Sequence, residues 1–310
     1  MDFKLGIKRI LLLSFVGASF FAVSCDDDVL NNLAGGDTVA ALKEALSVGA
    51  KTAASTLGKE NGYFSDAAVK IDMPKEVAVA TKLMQSKVGK EFISKAGADN
   101  FQIDNIVLMM NRAAETAAPK AVNVFASAIS GMSIADGEDI LFDRYQSKSA
   151  SVKSGSSEFS VGSVAFGTNN SATAYLYDNT YSGLKTSFSP IIDGVIDQVS
   201  VGSLTLNDAW AGFTKGFNKV MEYKNSTAGK AVMAGWGIAG VFSSNDDSEE
   251  LRNMLEQSEP IQDNSLGAYV TGKALSGLFM KVADKEVDIR TNAAARTSDL
   301  LKRVFGRLDE

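Results

Sequence analysis

The sequence predicts an all-α protein, folded as one multi-helix, bundle-like domain. Apolar residues recur every three or four positions in most segments, which is the period of a helix with one buried face. The chain has 310 residues and only 4 prolines, and long proline-free intervals suit helices. The clearest pattern spans residues 266–306, where two apolar stripes separated by a short break predict a helical hairpin. Such a hairpin cannot bury its own stripe, so the rest of the chain must pack on it.

The N-terminus has the layout of a secretory signal. Lys4, Lys8 and Arg9 precede a mostly apolar run, Ile10 to Val23, and small residues then lead to the sole cysteine, Cys25. The segment resembles a bacterial lipoprotein signal, which implies that acyl chains such as palmitate are attached at Cys25. The run is shorter than the roughly 20 residues that a spanning helix needs, which disfavours an uncleaved anchor.

We therefore expect a signal peptide over residues 1–24 and a lipidated Cys25 that attaches the protein to a membrane. An acidic tether, 25–36, would follow and includes Asp26, Asp27 and Asp28. In different bacterial groups such a run resembles a surface-export signal or an inner-membrane retention signal, or it is only a solvated linker. We favour a lipoprotein of the cell envelope in the outer membrane, and leave open whether it faces the periplasm or the surface.

The helical domain is expected over residues 37–306. Asp37 is predicted to cap the first helix, which Gly58 ends, and Gly306 is predicted to cap the last one. Between them the periodicity predicts helices at 75–95, 103–118, 120–132, 133–142, 172–189, 190–199, 206–223 and 248–257.

Two segments depart from the helical period. Residues 147–170 form a Ser/Gly-rich insert, in which Phe159, Val161, Val164 and Phe166 predict a small β-hairpin. The segment 225–264 is apolar but irregular. We detect no internal repeat.

Composition excludes several chemistries. The chain has 0 histidines and 1 cysteine, so it cannot form a Ser-His-Asp triad, an imidazole metal site or a thiolate zinc site. We expect neither a metal site nor a cofactor. The net charge of −6 argues against a nucleic-acid partner, because phosphate binding needs clustered Lys and Arg.

Five stretches together resemble one family: ALKEALSVGAKTA (41–53), NRAAETAAPKA (111–121), DNTYSGLKTSFSPII (178–192), YVTGKALSGLF (269–279) and IRTNAAARTSDLLKRVFG (289–306). The family consists of bacterial exported proteins and lipoproteins and is known as a domain of unknown function, numbered four-one-nine-seven. The resemblance covers residues 38–145 and 172–306. It departs at 147–170 and 225–263, and at Ala293, where the family usually has proline. It implies an all-helical exported domain and implies no activity.

Two groups of polar residues lie within the family-like stretches, one near residue 113 and one at the break before the last helix. Brought together, they could bind an anion or carboxylate, because arginine grips planar anions with a bidentate fork. The alternative, which we favour, is structural: Glu115 and an arginine form a buried or half-buried pair, and Asn292 caps a helix. The candidate residues are Asn111, Arg112 and Glu115 in the first group, and Arg290, Asn292, Arg296 and Thr297 in the second.

Residues 235–240, GWGIAG, match G-x-G-x-x-G. A dinucleotide site needs a strand before this motif and a helix after it, and neither is predicted here. The surrounding apolar run, 231–242, could contact a membrane or a partner, or fold onto the core.

Ser182 and Lys185 match S-x-x-K, but the companion motifs of a Ser-Lys nucleophile are missing, so we assign no catalytic residue.

Asp136, Glu138, Asp139 and Asp143 lack the spacing of a calcium loop and are predicted to start a helix.

The sequence thus favours a lipid-anchored envelope protein without catalytic activity, acting as a binding or structural factor for an envelope protein, a small ligand or an envelope polymer. The alternative is a hydrolase or transferase of the envelope that uses carboxylate, Lys or Tyr side chains in place of histidine.

Overall fold

The protein is all-α, as predicted. The computed structural model describes residues 27–72, 74–98, 105–135, 137–147, 168–201, 203–239, 248–261 and 266–310. The α-helices within these ranges are α1 Asp27–Leu57, α2 Lys75–Gln85, α3 Lys87–Lys95, α4 Ile106–Ala117, α5 Ala121–Gly131, α6 Gly137–Leu141, α7 Ser171–Ile196, α8 Leu206–Asn225, α9 Thr227–Ala239, α10 Ser248–Glu256, α11 Leu266–Thr291 and α12 Asp299–Phe305. Short 3₁₀ turns, Ala118–Lys120, Ala293–Ala295 and Gly306–Leu308, follow α4, α11 and α12.

The predicted C-terminal hairpin is confirmed, and its first helix, α11, is the centre of the domain. Helix α11 packs against α1 on one side and α7 on another, and it also contacts α4 and α12. The approach to α1 is close at Gly49, where a Cβ atom would lie 3.0 Å from Cγ1 of Val282. Since most positions of α11 are buried, the surrounding helices do supply the surface that the hairpin needs.

The first helix begins ten residues earlier than predicted. Helix α1 starts at Asp27, so Asp37 lies inside it rather than capping it, and the Asp37 carboxylate instead accepts a hydrogen bond from Arg303 at 2.8 Å. The end of the helix at Leu57, before Gly58, is as predicted.

The helix predicted over 75–95 is two helices, because Ser86 breaks it. The Ser86 backbone is extended and its hydroxyl accepts a hydrogen bond from the amide of Gly89, which caps α3. The reverse error occurs at Pro190, which was predicted to interrupt a helix and instead lies inside α7. The proline itself is exposed, and the buried residues Phe188 and Ile192 hold the helix on either side of it.

Much of the segment predicted to be irregular is also helical. Helix α9 occupies 227–239, within the apolar part of 225–264, and α10 agrees with the predicted helix at 248–257. A two-stranded antiparallel ribbon, β1 Ser200–Val201 and β2 Leu204–Thr205, precedes α8 and was not predicted. The hairpin predicted around Phe159 lies outside the described residues.

The last helix ends at the predicted glycine but by a different geometry. Gly306 has φ −60°, so it is right-handed rather than left-handed, and the chain continues into a 3₁₀ turn.

Candidate functional site

In the first polar group, Asn111 holds the loop that connects α1 with α2. Its carboxamide oxygen accepts a hydrogen bond from the amide of Ile71 at 2.9 Å, and its Nδ2 donates to the carbonyls of Ile71 at 2.9 Å and Val107 at 2.7 Å. Asn111 is fully buried, and both Nδ2 hydrogens are used inside the fold. The side chain therefore positions the backbone and has no free donor for a ligand.

Glu115 stabilises the same loop. One carboxylate oxygen accepts hydrogen bonds from the amides of Tyr63 at 3.2 Å and Phe64 at 3.1 Å, and the other accepts from Arg112. The carboxylate is 4% exposed, while Arg112 is half-buried and also contacts Asn61. This confirms the predicted pairing of Glu115 with an arginine, since a buried carboxylate needs such partners.

Tyr63 links the loop between α1 and α2 to the central helix, α11. Its hydroxyl donates a hydrogen bond to the carbonyl of Ala274 in α11 at 2.7 Å, and the whole residue is buried. Burial, with a smaller effect from the charge of Glu115, raises the pKa of Tyr63 well above 10.0. The first polar group is thus linked to the N-terminal half of α11 through backbone and core contacts.

In the second group, Arg290 forms a buried ion pair with Glu286, one turn earlier in α11. Nε of Arg290 lies 2.7 Å from Oε1 of Glu286, and its two terminal nitrogens donate to the carbonyls of Leu141, at 2.5 Å, and Ile140, at 2.9 Å. These carbonyls belong to the last turn of α6. Arg290 therefore caps the C-terminus of α6, where carbonyls lack partners within the helix.

Glu286 makes the complementary contact at the start of α7. Its carboxylate accepts hydrogen bonds from the amides of Ala172 at 3.0 Å and Thr173 at 2.7 Å, and from the Thr173 hydroxyl at 2.6 Å. Glu286 is 0% exposed, so this ion pair is fully buried. The ion pair joins the end of α6 to the start of α7, the two helices that flank the predicted insert.

Arg296 caps the C-terminus of α11, as Arg290 caps that of α6. It donates to the carbonyls of Ile289 and Arg290, both at 2.9 Å, and it also pairs with Asp309. The hydrogen bond from Arg296 lowers the pKa of the Asp309 carboxyl. Asn292 is confirmed as a cap, because its Oδ1 accepts from the amide of Ala294 at 3.0 Å. Thr297 is exposed beside them.

The structure does not bring the two groups together. Ala274, which anchors the first group, and Arg290 are sixteen residues apart on α11, or about 24 Å at 1.5 Å per residue. Within the described ranges, no hydrogen bond or ion pair joins a residue of one group to a residue of the other. The anion-site hypothesis required such convergence and gains no support.

The glycine motif at 235–240 lies largely in helix α9, and another helix, α8, precedes it. Trp236 is buried, with its ring 5.2 Å from that of Phe92, and Met233 is buried beside it. The dinucleotide interpretation is therefore excluded, and this part of the apolar run packs onto the core. Residues 240–242 lie outside the described ranges.

The Ser182 and Lys185 side chains lie on the outer part of α7, where Ser182 is exposed and Lys185 half-buried. Their backbone carbonyls accept hydrogen bonds from Thr186 and Ser189. Among the residues that the structure describes, none forms a side-chain hydrogen bond or ion pair with the hydroxyl of Ser182 or the amine of Lys185.

The acidic residues near α6 are used in separate contacts. Glu138 forms a bidentate pair with Arg307, which lowers the pKa of its carboxyl, and Asp139 pairs with Arg144. Asp143 accepts hydrogen bonds from Asn169 and Ser171. Asp136 lies outside the described residues. Nowhere in the described ranges do three or more metal-ligating residues form a group that could hold an ion.

Among the described helices, none is long and apolar enough to cross a membrane.

The fold and these contacts together define an all-α domain in which buried charged side chains cap the ends of helices. The chain belongs to the family described as "Protein of unknown function (DUF4197)", whose model matches residues 32–153 and 161–306. The match omits part of the predicted insert, and it includes 225–263, where the resemblance predicted a departure. No curated protein and no solved structure matches the chain.

Proposed function

We propose that this protein is a lipoprotein of the cell envelope, attached through acyl chains on Cys25, and that its helical domain is a non-catalytic binding or structural factor. The second half of this proposal is supported by the buried charged side chains in the region that matches the family, because these side chains cap helices and anchor a loop. Glu115, Glu286, Arg290 and Arg296 each bond to backbone groups from other parts of the fold.

A catalytic carboxylate or arginine must present at least one polar atom to a substrate. Glu286 and Arg290 are at most 2% exposed, and their hydrogen bonds go to Ala172, Thr173, Ile140 and to each other. Glu286 and Arg290 therefore present no such atom, and this pair adds no support to the alternative of a hydrolase or transferase. We therefore favour recognition by a surface over chemistry in a pocket.

The lipid attachment is supported by the N-terminal sequence. A basic start, an apolar run and a cysteine preceded by small residues are the features that direct lipoprotein processing. Each buried CH₂ contributes about 0.8 kcal/mol, and two or three acyl chains together anchor a protein stably. An outer-membrane position is the version of this proposal that we favour.

The attachment is tested by replacing Cys25 with Ser in the full chain expressed in a bacterial host. We expect loss of metabolic labelling with a palmitate analogue and release of the protein from the membrane fraction. Ser19→Ala is the matched control, because it changes the apolar run conservatively and leaves the cysteine intact. Equal labelling and membrane association of both variants would refute the anchor.

The binding role is tested by cross-linking in intact envelopes, followed by recovery of the acylated protein and mass spectrometry. A discrete adduct should form in the wild type and, in the destabilised variant Glu286→Ala, fall in yield with the fraction of unfolded protein. Adducts of the same pattern and yield from unfolded protein would show that the domain provides no specific surface.

A further inference from the structure

Two helix junctions in this domain share one local structure, although they lie far apart in the chain. Elbow 1 is the junction of α2 and α3, residues 82–90, and elbow 2 is the junction of α8 and α9, residues 222–230. Their centres read QSKVGK (85–90) and NSTAGK (225–230), so serine, glycine and lysine recur at a constant offset. Six residues are too few to stand out as a repeat in a chain rich in serine, glycine and lysine.

The backbone geometry at the two serines is the same. Ser86 has φ −93° and ψ 152°, and Ser226 has φ −71° and ψ 160°. Each serine amide donates to the carbonyl four residues earlier, of Lys82 or Glu222, at 3.2 Å in both cases. Each serine therefore ends one helix and begins the next.

The serine side chains make the same cap. The Ser86 hydroxyl accepts from the amide of Gly89 at 2.9 Å, and the Ser226 hydroxyl accepts from the amide of Gly229 at 3.0 Å. This is the bond by which serine satisfies a free amide in the first turn of a helix.

The glycines explain how the two helices of each junction can approach each other closely. A Cβ atom on Gly89 would lie within 3.0 Å of the Leu83 carbonyl, and a Cβ atom on Gly229 would lie within 3.0 Å of the Tyr223 carbonyl. In both elbows this carbonyl is six residues before the glycine and belongs to the preceding helix. The two helices can thus approach only where a residue has no side chain.

Helix α3, which follows elbow 1, also contacts elbow 2. The ring of Phe92, which follows elbow 1, lies 4.9 Å from the ring of Tyr223, just before the serine of elbow 2, and 5.2 Å from Trp236 in α9. Helix α10 packs against α2, α3 and α9. A lysine from each elbow contacts it, since Lys82 pairs with Glu250 at 3.1 Å and Lys224 donates to the carbonyl of Ser258 at 2.6 Å, just beyond the helix.

We propose that elbows 1 and 2 are two copies of one rigid Ser-x-x-Gly joint, and that α2, α3, α8, α9 and α10 form a lobe that opens as a single cooperative unit. The joints hold the helix angles because the glycine and the carbonyl are in contact, leaving no room for the angle to close further. The proposal concerns the mechanics of the fold and is independent of the proposed function.

The test substitutes Gly89→Ala and Gly229→Ala separately in the full chain and measures the thermal midpoint. Each substitution forces a side chain against a backbone carbonyl, so each should lower the midpoint by about 3–8 °C. The matched controls are Gly212→Ala in α8 and Gly235→Ala in α9, where nothing lies within 4 Å of the new Cβ. The controls should keep or raise the midpoint, since alanine favours a helix.

Native-state hydrogen exchange tests whether the five helices of the lobe open as a single unit. Gly89→Ala should accelerate amide exchange in α8, α9 and α10 as well as in α2 and α3, and Gly229→Ala should accelerate the same set. Acceleration confined to the substituted elbow would overturn the proposal, as would elbow variants that melt like the controls. If the glycine variants do not fold, Ser86→Ala and Ser226→Ala replace them in the exchange experiment, with the same two outcomes.

Discussion

Replacing Glu286 with Gln should be among the most damaging single substitutions in this protein. The variant keeps the shape of the side chain but removes the charge that Arg290 faces, and a glutamine amide turned toward the Ala172 and Thr173 amides cannot accept from both. Breaking a buried ion pair by removing one partner costs about 3–5 kcal/mol, because the other charge remains buried without compensation. Glu286 is 0% exposed, so solvent cannot screen the loss.

The assay is urea unfolding of the full chain followed by far-UV circular dichroism, with the free energy of unfolding taken from the linear extrapolation. The matched control is Asp288→Asn, an acid-to-amide change on the same helix. Asp288 pairs with Lys285 at 2.6 Å but is 41% exposed, so this change should cost at most about 1 kcal/mol.

A double variant, Glu286→Met with Arg290→Met, should be less destabilised than the sum of the two single Met variants, because no charge is left unpaired. Additive losses, or a Glu286→Gln variant as stable as Asp288→Asn, would refute the reasoning.

Four further outcomes follow from the packing and the charges. Gly277→Ala should destabilise the fold by about 1–3 kcal/mol in the same assay, because its Cβ would lie 2.7 Å from the buried ring of Tyr63. The free energy of unfolding should fall above pH 10, because the pKa of Tyr63 is raised in the folded state. The stabilisation from Tyr63 is complete below pH 10 and is lost as the pH rises through the folded pKa. In Tyr63→Phe, the free energy of unfolding should therefore decrease less steeply with pH in this range. The hydrogen bond from Lys281 lowers the pKa of Asp66 in the folded state. This ion pair therefore stabilises the fold above pH 3.8, and the stabilisation is lost as the pH falls through the lower, folded pKa. In Lys281→Met, the free energy of unfolding should decrease less in acid. Replacing residues 148–167 by a short Gly-Ser linker should leave a cooperative melt, and loss of the folded state would show that the insert is part of the core.

The deletion can be placed from the contacts at both ends of the insert. Ser147 donates to Asp178, and the amide of Asn169 donates to Asp143 at 2.7 Å, so both residues belong to the folded base. The sequence alone placed the insert boundaries at 147 and 170, which would have removed these contacts. Side-chain hydrogen bonds between residues 26 to 31 positions apart leave no periodic signal in a sequence.

Helices were predictable wherever a single apolar stripe runs along the segment, as in α11 and α12. Elbow 1 was missed because the apolar period continues across Ser86 and gives no sign of a break. At elbow 2 the end of α8 was predicted to within two residues, and the helix that follows it, α9, was missed. The break predicted at Pro190 was wrong for the opposite reason. Proline disfavours a helix interior, which the sequence shows, whereas the burial of Phe188 and Ile192 that stabilises α7 on either side of it follows only from the tertiary fold.

The long-range backbone partners of the buried charged residues could not be read from the sequence. Glu286 bonds to residues more than one hundred positions away, and Arg290 to carbonyls about one hundred and fifty positions away. A charged residue is normally assigned to the surface, because few carboxylates are fully buried. Burial of this pair follows from the tertiary fold, in which α6 ends and α7 begins beside the same turn of α11.

The most direct test of the account is native-state hydrogen exchange at the amides of Ala172 and Thr173, compared with Tyr63 and Phe64. If Glu286 and Glu115 are structural caps, all four amides exchange only through global unfolding, and their protection is lost in Glu286→Gln for the first pair and Glu115→Gln for the second. Rapid exchange of these amides in the wild-type protein would show that the carboxylates are not committed to the backbone, and would contradict the account.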